Sequence, residues 1–198
     1  SVIDAAKVVS ASQGQFARVM NALTAGAGLD ASTFTPIIAV PSTAGTGSEV
    51  TSWATVWDQA SGNKYPLAHR ALYPEVAVVD PALTLGAPHG LTLATGLDAL
   101  SHAFESIWNV SANPISSNFA VAAAREILDV LPKLMNELGN AELRERQARA
   151  ALMAGLAFSN TKTALAHNIS YDITLRAGTV HGIACSFSLP TVMRWSVG

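Results

Sequence analysis

Asp98 and His102, four residues apart in the stretch GLDALSHAFE (96–105), are the first side chains whose types and spacing could do chemistry. A carboxylate and an imidazole one helical turn apart can bind the same metal ion, but they fill at most half of its coordination shell. The stretch is also typical of an amphipathic helix, with polar and apolar residues on opposite faces. The polar face comprises Asp98, Ser101, His102, Glu105 and Ser106, and the apolar stripe comprises Leu97, Leu100, Phe104 and Ile107. This local pattern by itself favours a solvated polar face, and only further ligands could favour a metal.

Two more histidines lie in apolar surroundings, His167 in TALAHNISYD and His181 in GTVHGIAC. A single histidine in such a setting is usually a core residue that bonds to a carbonyl. Together with Asp98 and His102, however, they would offer three imidazoles and one carboxylate, a set that suits a divalent first-row ion such as Fe(II) or Zn(II). A site of this kind that keeps an open position for substrate is catalytic rather than structural.

The composition excludes several classes of protein. The chain has 198 residues, 49% hydrophobic and 13% charged, with a net charge of -2. It can therefore bury a core and is expected to form one or two domains. Lys and Arg number 12 against 14 Asp and Glu, without a basic run, which excludes an electrostatic footprint for nucleic acid. No apolar stretch has the length of a membrane span, so the expected partners are small molecules.

Cysteine usage indicates a compartment. Cys185 is the only cysteine, which prevents a disulfide within the chain and favours a cytoplasmic location. Its apolar setting, GIACSFSL, predicts a small buried side chain rather than a nucleophile.

The order of the predicted elements indicates an α/β part followed by a helical part. Residues 1–25 read as a helix, TPIIAVP and SWATVWD as strands, QASGNK as a hairpin turn and EVAVVDP as a buried strand. After about residue 81 the apolar periodicity becomes helical. The predicted helices include GLDALSHAFESIW, NFAVAAAREILDVLPKLMNEL, LRERQARAALMAGLAF and GIACSFSLPTVM. Asn113 followed by Pro114 predicts the start of the second of them.

At this combination of motifs the chain resembles the iron-dependent (group III) alcohol dehydrogenases. The resemblance runs through PSTAGTGSEVT (41–51), YPEVAVVDPALT (73–84), ATGLDALSHAFE (94–105), ALAH (164–167) and VHG (180–182). It implies that Asp98, His102, His167 and His181 bind a metal, usually Fe(II) and in some members Zn(II). It also implies a dehydroquinate synthase-like architecture, with a partial Rossmann-like nucleotide-binding α/β domain over 1–82 and an all-α, metal-binding domain over 83–198.

The activity implied is that of a dehydrogenase or reductase that transfers hydride between NAD(H) or NADP(H) and a small alcohol or aldehyde. The start, SVIDAAK, is similar to the end of the family motif GGGSxxDxAK, whose glycine amides hold the dinucleotide pyrophosphate at a helix N-terminus. PSTAGTGSE is similar to the second nucleotide loop of the family, although without that resemblance it is merely a Gly-, Ser- and Thr-rich loop. The cofactor-binding residues implied are Ser1, Asp4, Lys7, Ser42, Thr43, Thr46, Thr51 and, near the ribose, Lys64.

Two departures from the family pattern carry expectations. Tyr171 stands where many members have a second histidine, four residues after His167, so Tyr171 is the expected proton relay and, with His181, a catalytic residue. The glycines that precede the matching motif in the family are absent before Ser1, so the chain looks like the middle of the enzyme. By itself it is expected to bind about one divalent ion weakly, to associate as a homo-oligomer such as a dimer, and to lack NADH-dependent reduction.

The segments WATVWD, AFESIWN and ACSFSLP are similar in sequence to the branch of the family found with phosphonate metabolism. This similarity implies phosphonoacetaldehyde as the substrate. Two alternatives stay open. One is a sugar-phosphate cyclase of the same fold, against which the small number of basic residues near the ligands argues. The other is a non-catalytic metal-binding fragment.

Overall fold

The computed structural model describes residues 1–58 and 62–197, and the chain divides into two compact units. Unit 1 comprises Ser1–Pro41 and Ser48–Val78, and unit 2 comprises Ser42–Gly47 and Val79–Gly198. An α/β part followed by a helical part is therefore confirmed. The loop Ser42–Gly47 groups with the helical unit, although the sequence analysis assigned it to the nucleotide-binding domain.

The described residues of unit 1 contain two α-helices and two small sheets. Helices α1 and α2 span Val2–Ser12 and Phe16–Ala25. The prediction of a single helix over 1–25 is wrong, because Gln13 and Gly14 adopt left-handed backbone angles (φ 51° and 77°) that end α1.

The strands of unit 1 pair in twos. Strand β1, Ile38–Ala39, pairs in parallel with β4, Val76–Ala77, whereas β2, Trp53–Asp58, and β3, Asn63–Ala68, form an antiparallel hairpin. Part of the predicted turn QASGNK, residues 59–61, lies outside the described residues. EVAVVDP contains a strand as predicted, but the prediction that it is buried is wrong, since among the described residues β4 pairs on one side only and leaves Val76 48% exposed.

Unit 2 consists of five helices among its described residues. They are α3 (His89–Ile107), α4 (Pro114–Leu134), α5 (Ala141–Thr161), α6 (Leu165–Ala177) and α7 (His181–Val197). The start of α4 confirms the prediction, because Asn113 accepts hydrogen bonds from the backbone of Ile115 and Ser116 and Pro114 occupies the first turn. Helix α6 was missed, because its polar residues leave no clear apolar stripe.

The core of unit 2 lies where α3, α4 and α5 pack together. It is rich in alanine, which lets the helix backbones approach closely. Its fully buried members include Ala99, Ala103, Ala123, Ile127, Ala150 and Ala154. Within the described part of the chain, every helix is too short or too polar to cross a membrane.

Candidate metal centre

The polar face of α3 is buried, so its interpretation as a solvated face is wrong. Asp98 and His102 are each 5% exposed, and Glu105 is fully buried. Helices α4, α5 and α7 all pack against α3. They cover it on several sides, so its polar face lies inside the unit. Ionisable side chains are rarely buried in this way unless they are paired or hold a ligand.

The three histidines expected to bind the metal converge on one oxygen of the fourth expected ligand, Asp98. Asp98 Oδ1 lies 3.8 Å from His102 Nε2, 3.5 Å from His167 Nε2 and 3.9 Å from His181 Nε2. Ligand atoms about 2.0–2.2 Å from a tetrahedral ion stand roughly 3.3–3.6 Å apart. The three separations from Asp98 Oδ1 are therefore within a few tenths of an ångström of those around a shared ion.

Three buried atoms in this cluster, Asp98 Oδ1, His167 Nε2 and His102 Nδ1, lack hydrogen-bond partners among the described residues, and the first two face each other at 3.5 Å. Leaving a buried carboxylate oxygen unpaired is costly, and a cation would satisfy both facing atoms. Asp98 and Glu105 carry two negative charges when ionised, which a divalent ion beside neutral imidazoles would balance. The residues present thus fit a divalent metal.

Glu105 is a functional residue that the sequence analysis left on the polar face without a role. Its Oε2 lies 2.5 Å from His167 Nδ1, and its carboxylate also accepts backbone N–H groups of Ala164, Ala166 and His167 at 3.0, 2.6 and 3.2 Å. A proton on Nδ1 leaves Nε2 of His167 free to face Asp98. The available sequence signal was its position seven residues after Asp98, on the same helix face.

The charges of the cluster shift its protonation. Burial raises the pKa of Asp98, but the surrounding imidazoles outweigh it and lower that pKa overall. Burial lowers the pKa of His102 to about 4 despite the opposing effect of Asp98. Burial also lowers the pKa of His167, yet the nearby side chains of Asp98, Cys185 and Glu105 raise it well above the usual value. Without a metal, a proton on His167 therefore supplies the positive charge that the carboxylates require.

Ring stacking holds His102, and the cluster opens beside His181. The His102 ring lies between Phe158 and His167, with centroids 4.0 and 4.6 Å away. The His181 side chain is 35% exposed. Half-buried Tyr171 stacks nearly parallel to His181 at 6.4 Å. Tyr171 therefore lies at the open side of the cluster, as a proton relay requires, and its catalytic role stays a prediction.

Cys185 also belongs to this cluster. It is fully buried, in agreement with the sequence analysis, one turn after His181 on α7. Its Sγ lies 3.5 Å from His181 Nε2 and 3.7 Å from Nδ1. Burial raises the pKa of this thiol, but hydrogen bonding with His167 and His181 lowers it overall.

In unit 1, the residues expected to bind the cofactor form an internal network. Lys7 is fully buried, and its Nζ donates to the carbonyls of Ser48, Thr51 and Trp53 at 2.7, 2.7 and 2.9 Å. Thr51 is also buried. The Lys7 ammonium thus donates its hydrogen bonds within the protein, and its contact with the cofactor stays a prediction.

The flanking residues also hold this network together. Asp4 accepts hydrogen bonds from Ser48 Oγ and the Thr55 backbone at 2.8 and 3.2 Å. Ser1 caps α1 by accepting the Asp4 N–H at 3.4 Å. Lys64 lies on β3 with its Nζ 5.5 Å from the Trp57 ring.

The loop Ser42–Gly47 packs against the helices of unit 2. A Cβ on Gly45 would lie 2.5 Å from the Thr95 carbonyl oxygen, and one on Gly47 would lie 2.6 Å from Phe158 Cε1. These glycines are therefore required for close approach of the loop. Ser42 is exposed, and Thr43 and Thr46 are half-buried. Thr43 lines a small pocket whose other lining residues are Ala44, Thr84, Ala87, Thr92, Thr95, Arg144 and Gln147.

Comparison with known proteins finds relatives that match most of the chain. It is 41% identical over 162 residues to the NAD-dependent methanol dehydrogenase of Bacillus methanolicus, covering 82% of this chain and 42% of that protein. It is 39% identical over 193 residues to the probable alcohol dehydrogenase EutG of Salmonella typhimurium, covering 98% and 48%. The chain thus spans about half the length of these relatives.

Solved structures and family models agree with these matches. A crystal structure of sulfoacetaldehyde reductase from Bifidobacterium kashiwanohense in complex with NAD+ superimposes with a TM-score of 0.92 and 35% identity, covering 98% of this chain and 51% of that one. Residues 1–81 match the family model for iron-containing alcohol dehydrogenase, and residues 92–197 match that for the C-terminal part of the Fe-containing alcohol dehydrogenase family. The chain therefore belongs to the iron-containing alcohol dehydrogenase family.

Proposed function

We propose that this protein is a metal-dependent, NAD(P)-linked alcohol dehydrogenase or aldehyde reductase. The observation that carries the proposal is the buried Asp98 Oδ1, which lacks a hydrogen-bond partner among the described residues and faces three imidazole Nε2 atoms at 3.5 to 3.9 Å. The architecture we propose is dehydroquinate synthase-like. The homo-oligomer and the cytoplasmic location stay predictions.

In this proposal Asp98, His102, His167 and His181 hold the ion, Fe(II) or Zn(II). When bound, the ion would supply Lewis-acid chemistry at the substrate oxygen, and the nicotinamide would supply the hydride chemistry. Glu105 keeps His167 in the tautomer that presents Nε2 to the ion. Tyr171, beside His181 at the open side, exchanges a proton with the substrate oxygen.

The remaining assignments concern the cofactor and the substrate. We assign the nucleotide to Ser1, Asp4, Ser42, Thr43, Thr46 and Lys64, and we propose that Lys7 and Thr51 act through the internal network of unit 1. For the substrate we propose a small aldehyde and, more narrowly, phosphonoacetaldehyde. The name of one relative, sulfoacetaldehyde reductase, supports a two-carbon aldehyde that bears an anionic group.

The test compares Asp98→Asn with Asp172→Asn, since Asp172 is an exposed carboxylate on α6. Zn(II) calorimetry should show about one site in the wild type. Removing a hydrogen-bond partner of a ligand typically weakens metal binding about 10–100-fold, and loss of the ligand itself should exceed about 100-fold. Asp172→Asn should bind like the wild type. Zn(II) binding by Asp98→Asn at wild-type affinity would overturn the proposal.

A second measurement identifies the preferred substrate and the preferred cofactor. Reduction of formaldehyde, sulfoacetaldehyde and phosphonoacetaldehyde is followed with NADH and with NADPH. Turnover with one of these aldehydes supports a reductase and would contradict the expectation that the chain by itself lacks NADH-dependent reduction. Loss of inorganic phosphate from a sugar phosphate without net oxidation of NADH would instead identify the cyclase alternative.

A further inference from the structure

We propose that Cys185 is a ligand of the metal centre. Its thiolate forms a second four-ligand set with Asp98, His167 and His181, which overlaps the set that contains His102. The inference rests on the proposed metal site and names an alternative fourth ligand for it.

The distances support this set directly. The four candidate ligand atoms of Asp98, His167, His181 and Cys185 all lie within 4.8 Å of one another. A tetrahedral ion with bonds of about 2.3 Å to sulfur and about 2.0–2.1 Å to nitrogen separates those two atoms by roughly 3.5 Å. Cys185 Sγ lies 3.5 Å from His181 Nε2, so these two ligands already stand at the required spacing.

Two unpartnered atoms point independently to a ligand at the same place. Asp98 Oδ1 and His167 Nε2 are buried and lack hydrogen-bond partners among the described residues. They come from α3 and α6, while His181 and Cys185 come from consecutive turns of α7. Three helices therefore present donors to one point, which an isolated buried cysteine would not explain.

His102 is less firmly positioned than His167 as the alternative fourth ligand. A metal-binding histidine almost always donates its second ring nitrogen to a partner, which fixes its orientation. His167 has Glu105 in this role, whereas His102 Nδ1 has no partner among the described residues and only ring stacking holds it. The thiolate of Cys185 can therefore compete with His102 for the fourth position.

The choice of fourth ligand affects metal preference. Thiolate is a soft ligand that favours Zn(II), and imidazole suits both Fe(II) and Zn(II). Zn(II) affinity should therefore depend on Cys185, and Fe(II) affinity should depend on it much less.

Co(II) substitution provides a spectroscopic test on the full chain. Cys185 is the only cysteine, so a sulfur-to-cobalt charge-transfer band in the near ultraviolet can come from no other residue. We compare the wild type with Cys185→Ser and Cys185→Ala, with Ser186→Ala as the matched control on the same helix. Visible d–d bands report occupancy of the site whether or not sulfur is bound.

The expected result is that wild type and Ser186→Ala show both bands, and that Cys185→Ala keeps the d–d bands, loses the charge-transfer band and binds Zn(II) at least about 10-fold more weakly. Strong d–d bands without charge transfer in the wild type would overturn the Cys185 ligand and leave the proposed function standing. Absence of any Co(II) spectrum in the wild type would overturn both. Since the wild-type spectrum decides the question, misfolding of a variant does not remove the test.

Discussion

Each unit of the molecule buries a cluster of ionisable side chains, and the two clusters differ in whether their polar atoms find partners. In unit 1, Lys7 donates to three backbone carbonyls. In unit 2, Asp98 Oδ1 and His167 Nε2 find no hydrogen-bond partner among the described residues. A cluster whose bonds are complete is structural, whereas an incomplete one needs a ligand to offset the cost of burial. The comparison shows that unpaired atoms on clustered carboxylate and imidazole side chains distinguish the candidate site from the network around Lys7.

The largest effect should come from breaking the complete cluster. Burial lowers the pKa of Lys7 to about 8, although Asp4 and Glu49 raise it, so its ammonium is still charged at pH 7. Lys7→Met removes the donor from three carbonyls, and at about 1–3 kcal/mol for each unsatisfied group the loss of stability should reach at least about 3 kcal/mol. Hydrogen exchange should show the loss in unit 1. Lys64→Met, which removes a half-buried lysine, is the control, and equal destabilisation by both variants would contradict the structural role of Lys7.

The next largest effect concerns the approach of two helices that carry metal ligands. A Cβ on Gly182, beside His181, would overlap the carbonyl oxygen of Ala94 and lie 3.1 Å from Asp98 Cβ. Gly182→Ala should therefore destabilise unit 2 by about 1–3 kcal/mol, and it should also weaken Zn(II) binding.

Gly90 provides the matched control in α3. No atom lies within 4 Å of a Cβ placed there, so Gly90→Ala should stabilise the helix by about 0.5–1 kcal/mol. Both values come from the midpoint of urea unfolding. If both substitutions stabilise the protein, the helix contact at Gly182 is not as close as described.

Removing the partner of His167 should weaken the incomplete cluster without abolishing it. In Glu105→Gln the side chain loses the charge that the His167 ring and three backbone amides share, and Zn(II) affinity should fall about 10–100-fold. Calorimetry measures the affinity. Exposed Glu142→Gln should bind as the wild type does. Loss of thermal stability with unchanged Zn(II) affinity would assign Glu105 to the fold alone.

The smallest effect is expected at an exposed ion pair. Lys133 Nζ lies 2.6 Å from Asp129 Oδ1 on the outside of α4, and both side chains are about half exposed. Lys133→Met should leave the unfolding midpoint and Zn(II) affinity unchanged within error, because solvated pairs contribute little. A clear shift of the midpoint would mean that exposed ion pairs also contribute to stability. Burial would then not explain why the two buried clusters contribute more than surface pairs.

Several local features could be predicted from the sequence. The helical periodicity gave α3, α4, α5 and α7, and the Asn113–Pro114 pair marked the start of α4, because these features depend on neighbouring residues. The resemblance selected Asp98, His102, His167 and His181, which the structure brings together. The break at Gln13 and the polar helix α6 were not predicted, since no clear change in apolar periodicity marks the break and α6 has no clear apolar stripe.

The sequence by itself determined four helices of unit 2, α3, α4, α5 and α7, and which side chains offer metal ligands, because propensity, capping and residue type act over a few residues. Only the tertiary structure decided that the polar face of α3 is buried and that Glu105 holds His167, 62 residues further along the chain. It also decided that the donors of Lys7 are used inside the protein. Burial and hydrogen bonds between distant segments depend on how helices and loops pack, and a linear pattern of residue types contains no information on which face is covered.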